Sequence, residues 1–139
     1  MEIDSMRLFI ADDSEVMRER IRELVLAVEG IELVGEAGDV QASIKGILNL
    51  KPDVVILDIR MPGGNGLDVL RKVKGHPKKT PLIIVLTNYP FQEYKEIATK
   101  LGADHFFDKA KEFDEVQKVL ERMLQGKEAR KTVKRDQGK

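Results

Sequence analysis

Four short blocks, Leu8-Phe9-Ile10-Ala11, Ile31-Glu32-Leu33-Val34, Val54-Val55-Ile56-Leu57 and Leu82 to Leu86, punctuate the chain, and after each of them apolar residues return with the period of a helix. After the first block, Met17, Ile21, Leu24, Val25 and Val28 fall on one helical face. After the second, a helix from Val40 to Leu50 is expected, with Asp39 placed to cap it. Pro52-Asp53 introduces the third block, and Leu67 to Lys74 has the pattern of a short helix. Tyr94, Ile97, Ala98 and Leu101 share a face after the fourth. Past Gly102 a fifth strand is expected near His105-Phe106-Phe107, and Val116, Val119, Leu120, Met123 and Leu124 then recur at helical spacing. Three of the strands are continuously apolar, as strands are when helices cover both faces of a parallel sheet. Five βα units joined by right-handed crossovers predict an α/β fold, a doubly wound five-stranded parallel sheet.

At 139 residues there is room for one domain, and a 42% apolar content is enough to build its core and excludes wholesale disorder. The 24 basic and 24 acidic residues cancel, so no net field directs the chain to nucleic acid or anionic lipid. The absence of cysteine excludes disulfides, thiolate zinc sites and cysteine nucleophiles. Two histidines argue against a multi-histidine metal site; His76, in Gly-His-Pro-Lys, reads as a turn residue and His105 as a residue of the edge strand. Met17 and Met123 lie on apolar helix faces and read as core. No apolar run approaches a membrane span, and MEIDSM is acidic where a secretory signal is basic, so a cytoplasmic location is expected. The neutral total hides an asymmetry. Residues 126–139 carry net +4 without periodicity and read as an unstructured basic tail, leaving residues 1–125, at net −4, as the domain.

In an open α/β sheet the site lies outside the carboxyl ends of the strands. There the chain places Asp12-Asp13 after the first strand, Asp58 after the third, Thr87 at the fourth and Asp108-Lys109 at the fifth. Taken singly each has a plainer role: Asp13 or Ser14 caps the first helix, Thr87 the fourth, and Lys109 is a solvated loop residue. Together they collect carboxylates, a hydroxyl and an ammonium on one edge. Clustered carboxylates raise one another's pKa unless a cation joins them. With no histidine or cysteine beside them, the ion implied is hard and oxygen-loving, and Mg²⁺ fits best. Three carboxylates, Lys109 and Mg²⁺ balance to neutrality, which permits one carboxylate to attack a phosphoryl group.

The segments LFIADD, VVILDIRMPGGNGLDVL, LIIVLT and GADHFFDK, in this order from about Arg7 to Gln125, resemble the receiver domain of bacterial two-component response regulators. The resemblance implies the flavodoxin-like strand order 2-1-3-4-5 and a signalling module rather than an enzyme. It implies that Asp58 is the phosphoacceptor, charged from a histidine kinase or phosphotransfer protein. It also implies that Asp12, Asp13, Asp58 and the backbone carbonyl of Arg60 hold Mg²⁺, and that Thr87 and Lys109 bind phosphoryl oxygens. Thr87 and Phe106 stand where the family keeps its switch pair, acting on a protein-binding surface of the fourth helix, fifth strand and fifth helix. A downstream protein target, or a phosphorylation-dependent homodimer, is the implied partner. Gly66 and Met61-Pro62 match the turn after the acceptor. Arg60 and Tyr89 occupy the positions, two past Asp58 and Thr87, that flank the attacking water in this family.

The sequence departs from the family at three places. Ala110 follows Lys109 where many members have a cis proline, and since a non-proline cis bond costs about 2.5–4 kcal/mol, a trans bond or a reshaped loop is expected. Asn88 is larger than the usual residue after the threonine, and Phe106 lacks the hydroxyl of the commoner tyrosine. Other readings remain open. VGEAGD and GLDVLRKVK resemble receivers joined to helix-turn-helix domains, so the chain also reads as a fragment of a longer transcription regulator, although 14 tail residues hold no such domain themselves. An aspartate-nucleophile phosphatase of the haloacid dehalogenase kind requires Asp-x-Asp where this chain has adjacent acids. A flavin module requires a phosphate-binding loop where this chain has the acidic ADDSEV.

Overall fold

The alternation resolves, in a computed structural model that describes residues 5–75 and 80–126, into a parallel sheet flanked by helices. The strands are β1 (Met6–Ala11), β2 (Ile31–Ala37), β3 (Val54–Leu57), β4 (Leu82–Thr87) and β5 (His105–Asp108). The helices are α1 (Glu15–Leu26), α2 (Val40–Leu50), α3 (Gly66–Lys74), α4 (Gln92–Lys100) and α5 (Glu115–Leu124). The strands pair in the order β2-β1-β3-β4-β5, every pair parallel. This is the flavodoxin-like order, and it puts the switch point between β1 and β3. A separate antiparallel bridge, Arg60–Met61 with Gly64–Asn65, shapes the loop after β3.

Alternate residues of each strand feed two cores. On one face Met6, Leu8, Ile10, Val54, Ile56, Ile84 and Leu86 pack under α1 and α5; on the other, Phe9, Ala11, Val55, Leu57, Ile83 and Val85 pack under α2, α3 and α4. The three central strands are buried almost throughout, whereas β2 and β5, at the sheet edges, are mostly half-buried. Each buried aliphatic side chain contributes about 1.5–3 kcal/mol, so β1, β3 and β4 form the frame on which the loops stand.

Local chemistry sets the helix starts. Ser14 caps α1 and Asp39 caps α2, accepting from Met17 N at 3.1 Å and Ala42 N at 2.7 Å. Asn65 and Asp68 form a capping box, so α3 begins at Gly66, one residue before the apolar pattern. β2 runs past its apolar block because pairing with β1 continues to Ala11 and Ala37. Val28 is buried from the turn after α1, not from the helix itself. Met123 is buried in the core and the half-buried Met17 packs against it, and His105 stacks on Phe107 at 5.5 Å. His76 and the basic tail beyond Gly126 lie outside the described residues. No helix among those described is long and apolar enough to cross a membrane.

Candidate functional site

The register that pairs Ala11 with Leu57 carries the chain of β1 out as Asp12 and that of β3 out as Asp58, side by side. The Asp58 amide donates to Ala11 O at 2.9 Å, fixing this juxtaposition. Asp12 and Asp58 are buried while Asp13 is exposed, and each of the three offers a carboxylate oxygen within 4.8 Å of the others. Asp12 Oδ1 accepts from Ser14 N–H at 2.9 Å, and Asp58 Oδ1 accepts from Ile59 N–H at 2.7 Å. One oxygen of each carboxylate is thereby committed to backbone.

Lys109 reaches the other two oxygens. Its amide donates to Thr87 O at 2.8 Å, which extends the β4–β5 ladder and aims the side chain inward. Its Nζ lies 2.7 Å from Asp12 Oδ2 and 2.9 Å from Asp58 Oδ2, with all three side chains buried. Asp12 Oδ2 is fully buried against the Lys109 ammonium. Burial pushes the Asp12 carboxyl above its ordinary pKa, against the Lys109 contact and the Ser14 amide, which pull it down. Burial also works against the Lys109 ammonium, but the paired Asp12 and Asp58 carboxylates outweigh it and hold its pKa above the usual lysine value.

This donor set fits a hard divalent cation. Three carboxylates against one ammonium leave a surplus of negative charge that such an ion would offset. Ligands at about 2.0–2.1 Å from a cation lie at most about 4.2 Å apart across it, so small side-chain adjustments close the cluster.

Thr87 is fully buried at the end of β4, and its Oγ1 accepts from Tyr89 N–H at 3.0 Å. It does not cap α4, whose N-cap is Phe91. Phe106 pairs with Val85 and lies half-buried against the α2–α3–α4 core, on the sheet face that Thr87 shares with Val85. The Arg60 side chain is exposed and stacks over the Tyr89 ring, 4.5 Å from its centroid. Asn88 and Ala110 are exposed, and the Lys109–Ala110 bond is trans. The resemblance puts Arg60 and Tyr89 beside one water but does not give their stacking, which joins loops after different strands. Arg18, whose Nη1 donates to the Asp12 carbonyl at 2.6 Å, is likewise unmarked, because a backbone acceptor leaves no trace in a motif.

Comparison with known proteins gives the same frame. The chain matches the family model for the response regulator receiver domain over residues 8–121. It is 33% identical over 124 residues to YvfU of Bacillus subtilis, an uncharacterized transcriptional regulatory protein, covering 88% of this chain and 60% of that one. Across three curated relatives the chain spans 40% to 60% of their length. The signal receiver domain of the putative response regulator NarL from Mycobacterium tuberculosis matches with a TM-score of 0.79 at 27% identity, covering 88% of this chain and 98% of that one. The isolated receiver domain of RcsB from Salmonella enterica serovar Typhimurium, solved with the phosphomimetic BeF3-, matches with a TM-score of 0.80 at 28% identity, covering 91% and 93%. Strand order, acidic switch point and family model agree, and the chain belongs to the response-regulator receiver family of two-component systems.

Proposed function

We propose that this chain takes a phosphoryl group onto Asp58 from the phosphohistidine of a histidine kinase or phosphotransfer protein, and that the modification switches a protein-binding surface on α4, β5 and α5. The observation that carries this reading is the meeting of Asp12, Asp13, Asp58 and Lys109 at one sheet edge, with Asp58 Oδ2 2.9 Å from the ammonium. Residues 1–125 make up the module in this reading, with 126–139 a basic extension.

The Asp58 carboxylate attacks phosphorus, and an O–P bond forms as the N–P bond of phosphohistidine breaks. The electron pair returns to the imidazole, which leaves neutral because the phosphohistidine ring carries a proton on its other nitrogen. Lys109 pairs a phosphoryl oxygen as charge shifts onto it. The Thr87 hydroxyl accepts from Tyr89, so its own hydrogen remains to donate to a second phosphoryl oxygen. Asp12, Asp13, Asp58 and the Arg60 carbonyl would hold Mg²⁺, which supplies the positive charge that lets an anionic donor approach the carboxylates. Attack of water on phosphorus later restores Asp58, so the module is a timed signal and turns over no substrate of its own.

YvfU is named a transcriptional regulatory protein and exceeds this chain in length, which favours a second reading: the receiver part of a longer transcription regulator. The reading frame around the gene separates the two. The phosphoacceptor reading is tested by intact-mass measurement after incubation with acetyl phosphate. One phosphoryl group per chain is expected with Mg²⁺ and none in excess chelator; full labelling in chelator contradicts the metal assignment.

A further inference from the structure

Four contacts converge on Asp12. Its N–H donates to Ala37 O at 3.0 Å, one step past the β1–β2 ladder, and its carbonyl accepts from Arg18 Nη1 at 2.6 Å. Its Oδ1 is held by the Ser14 amide, and its Oδ2 faces Lys109. With the peptide gripped on both sides, the direction of the carboxylate is fixed by backbone as well as by rotamer.

Arg18 is oddly placed for this. It lies near the N-terminus of α1, where the helix dipole disfavours a cation. Two features hold it there. Glu36 on β2 takes Arg18 Nε at 3.2 Å and is itself gripped by Arg22 Nη1, at 2.7 Å to each carboxylate oxygen. Gly38 leaves the guanidinium its space, since a Cβ there would stand 3.0 Å from Arg18 Nη1 and 3.7 Å from the Asp12 carbonyl oxygen.

We infer that Arg18, braced by Glu36 and admitted by Gly38, is a positioning residue that sets the Asp12 peptide so that Asp12 and Asp13 face a divalent cation. The inference rests on the reading of the Asp12–Asp13–Asp58 cluster as a cation site. Its sign is distinctive. A guanidinium near a cation site repels the ion, so on charge alone Arg18→Met tightens Mg²⁺ binding. A positioning role weakens it.

The test is calorimetric Mg²⁺ titration of the full chain as wild type, Arg18→Met and Gly38→Ala, with the amide shifts of Asp12 to Ser14 followed by NMR and denaturant melts run in chelator. Wild type binds Mg²⁺, and Arg18→Met binds it about tenfold more weakly, as loss of an outer-shell partner does elsewhere. Gly38→Ala, which alters no charge, moves affinity in the same direction by less. A merely structural role lowers stability in chelator and leaves affinity alone. Unchanged or tighter Mg²⁺ binding by the folded variants overturns the inference, and Gly38→Ala decides if Arg18→Met does not fold. Failure of the wild type to bind Mg²⁺ overturns the cation site itself, and the inference with it.

Discussion

Arg60 and Tyr89 stand on loops after different strands, and the stacking of the guanidinium on the ring ties the two loops together. An exposed cation–π pair is worth about 0.5–1 kcal/mol, which biases the stacked arrangement by about two- to fivefold. If the pair shields the acyl phosphate from water, Arg60→Ala with Tyr89→Ala should lose phosphate several-fold faster than wild type. Decay of the labelled protein measures this, and an equal or longer half-life removes shielding from their role. Gly66 packs against the backbone of Asp58 and Ile59. Its amide donates to Ile59 O at 2.6 Å, and a Cβ at this position would overlap the Asp58 carbonyl oxygen. Backbone has nowhere to retreat, so Gly66→Ala should cost about 2 kcal/mol in a denaturant melt and slow labelling of Asp58. A loss below about 0.5 kcal/mol with unchanged labelling contradicts this packing argument.

At the scale of elements, the proposed phosphorylation site and output face are joined through β4 and β5. Thr87 ends β4, and its carbonyl takes the Lys109 amide. Phe106 on β5 pairs with Val85, which shares a sheet face with Thr87. In the proposed switch, movement of the Thr87 hydroxyl toward a phosphoryl oxygen would vacate space on the face where Phe106 packs. Packed elements shift between discrete arrangements, and α4 is the element free to follow. Only Ala98 of α4 is buried, while Phe91 is 56% exposed and Ile97 40% exposed. Thr87→Ala should therefore accept phosphate yet lack the phosphorylation-induced NMR shifts expected of wild type from Tyr94 to Leu101. Wild-type shifts in both Thr87→Ala and Phe106→Ala place the output surface elsewhere.

For the whole molecule, the architecture was legible because burial on two faces forces an unusual pattern on β1, β3 and β4. Continuous apolar blocks between helical faces admit few alternatives. The edge strands wrote a weaker signal: β2 keeps Gly35 and Glu36 within its pairing, so its end could not be read from hydrophobicity. The site was legible as residue types at strand ends, since a doubly wound sheet gathers those ends whatever the loops do. Contacts among the loops were not, because Arg60 with Tyr89 and Arg18 with the Asp12 carbonyl depend on loop path and on a backbone atom common to every residue. The central claim is that all of this serves one carboxylate. Asp58→Asn removes the nucleophile with little change of shape, and the variant should fold as wild type does. Intact-mass measurement after acetyl phosphate and Mg²⁺ should find wild type carrying one phosphoryl group and Asp58→Asn none. A folded Asp58→Asn that labels as fully as wild type contradicts the account.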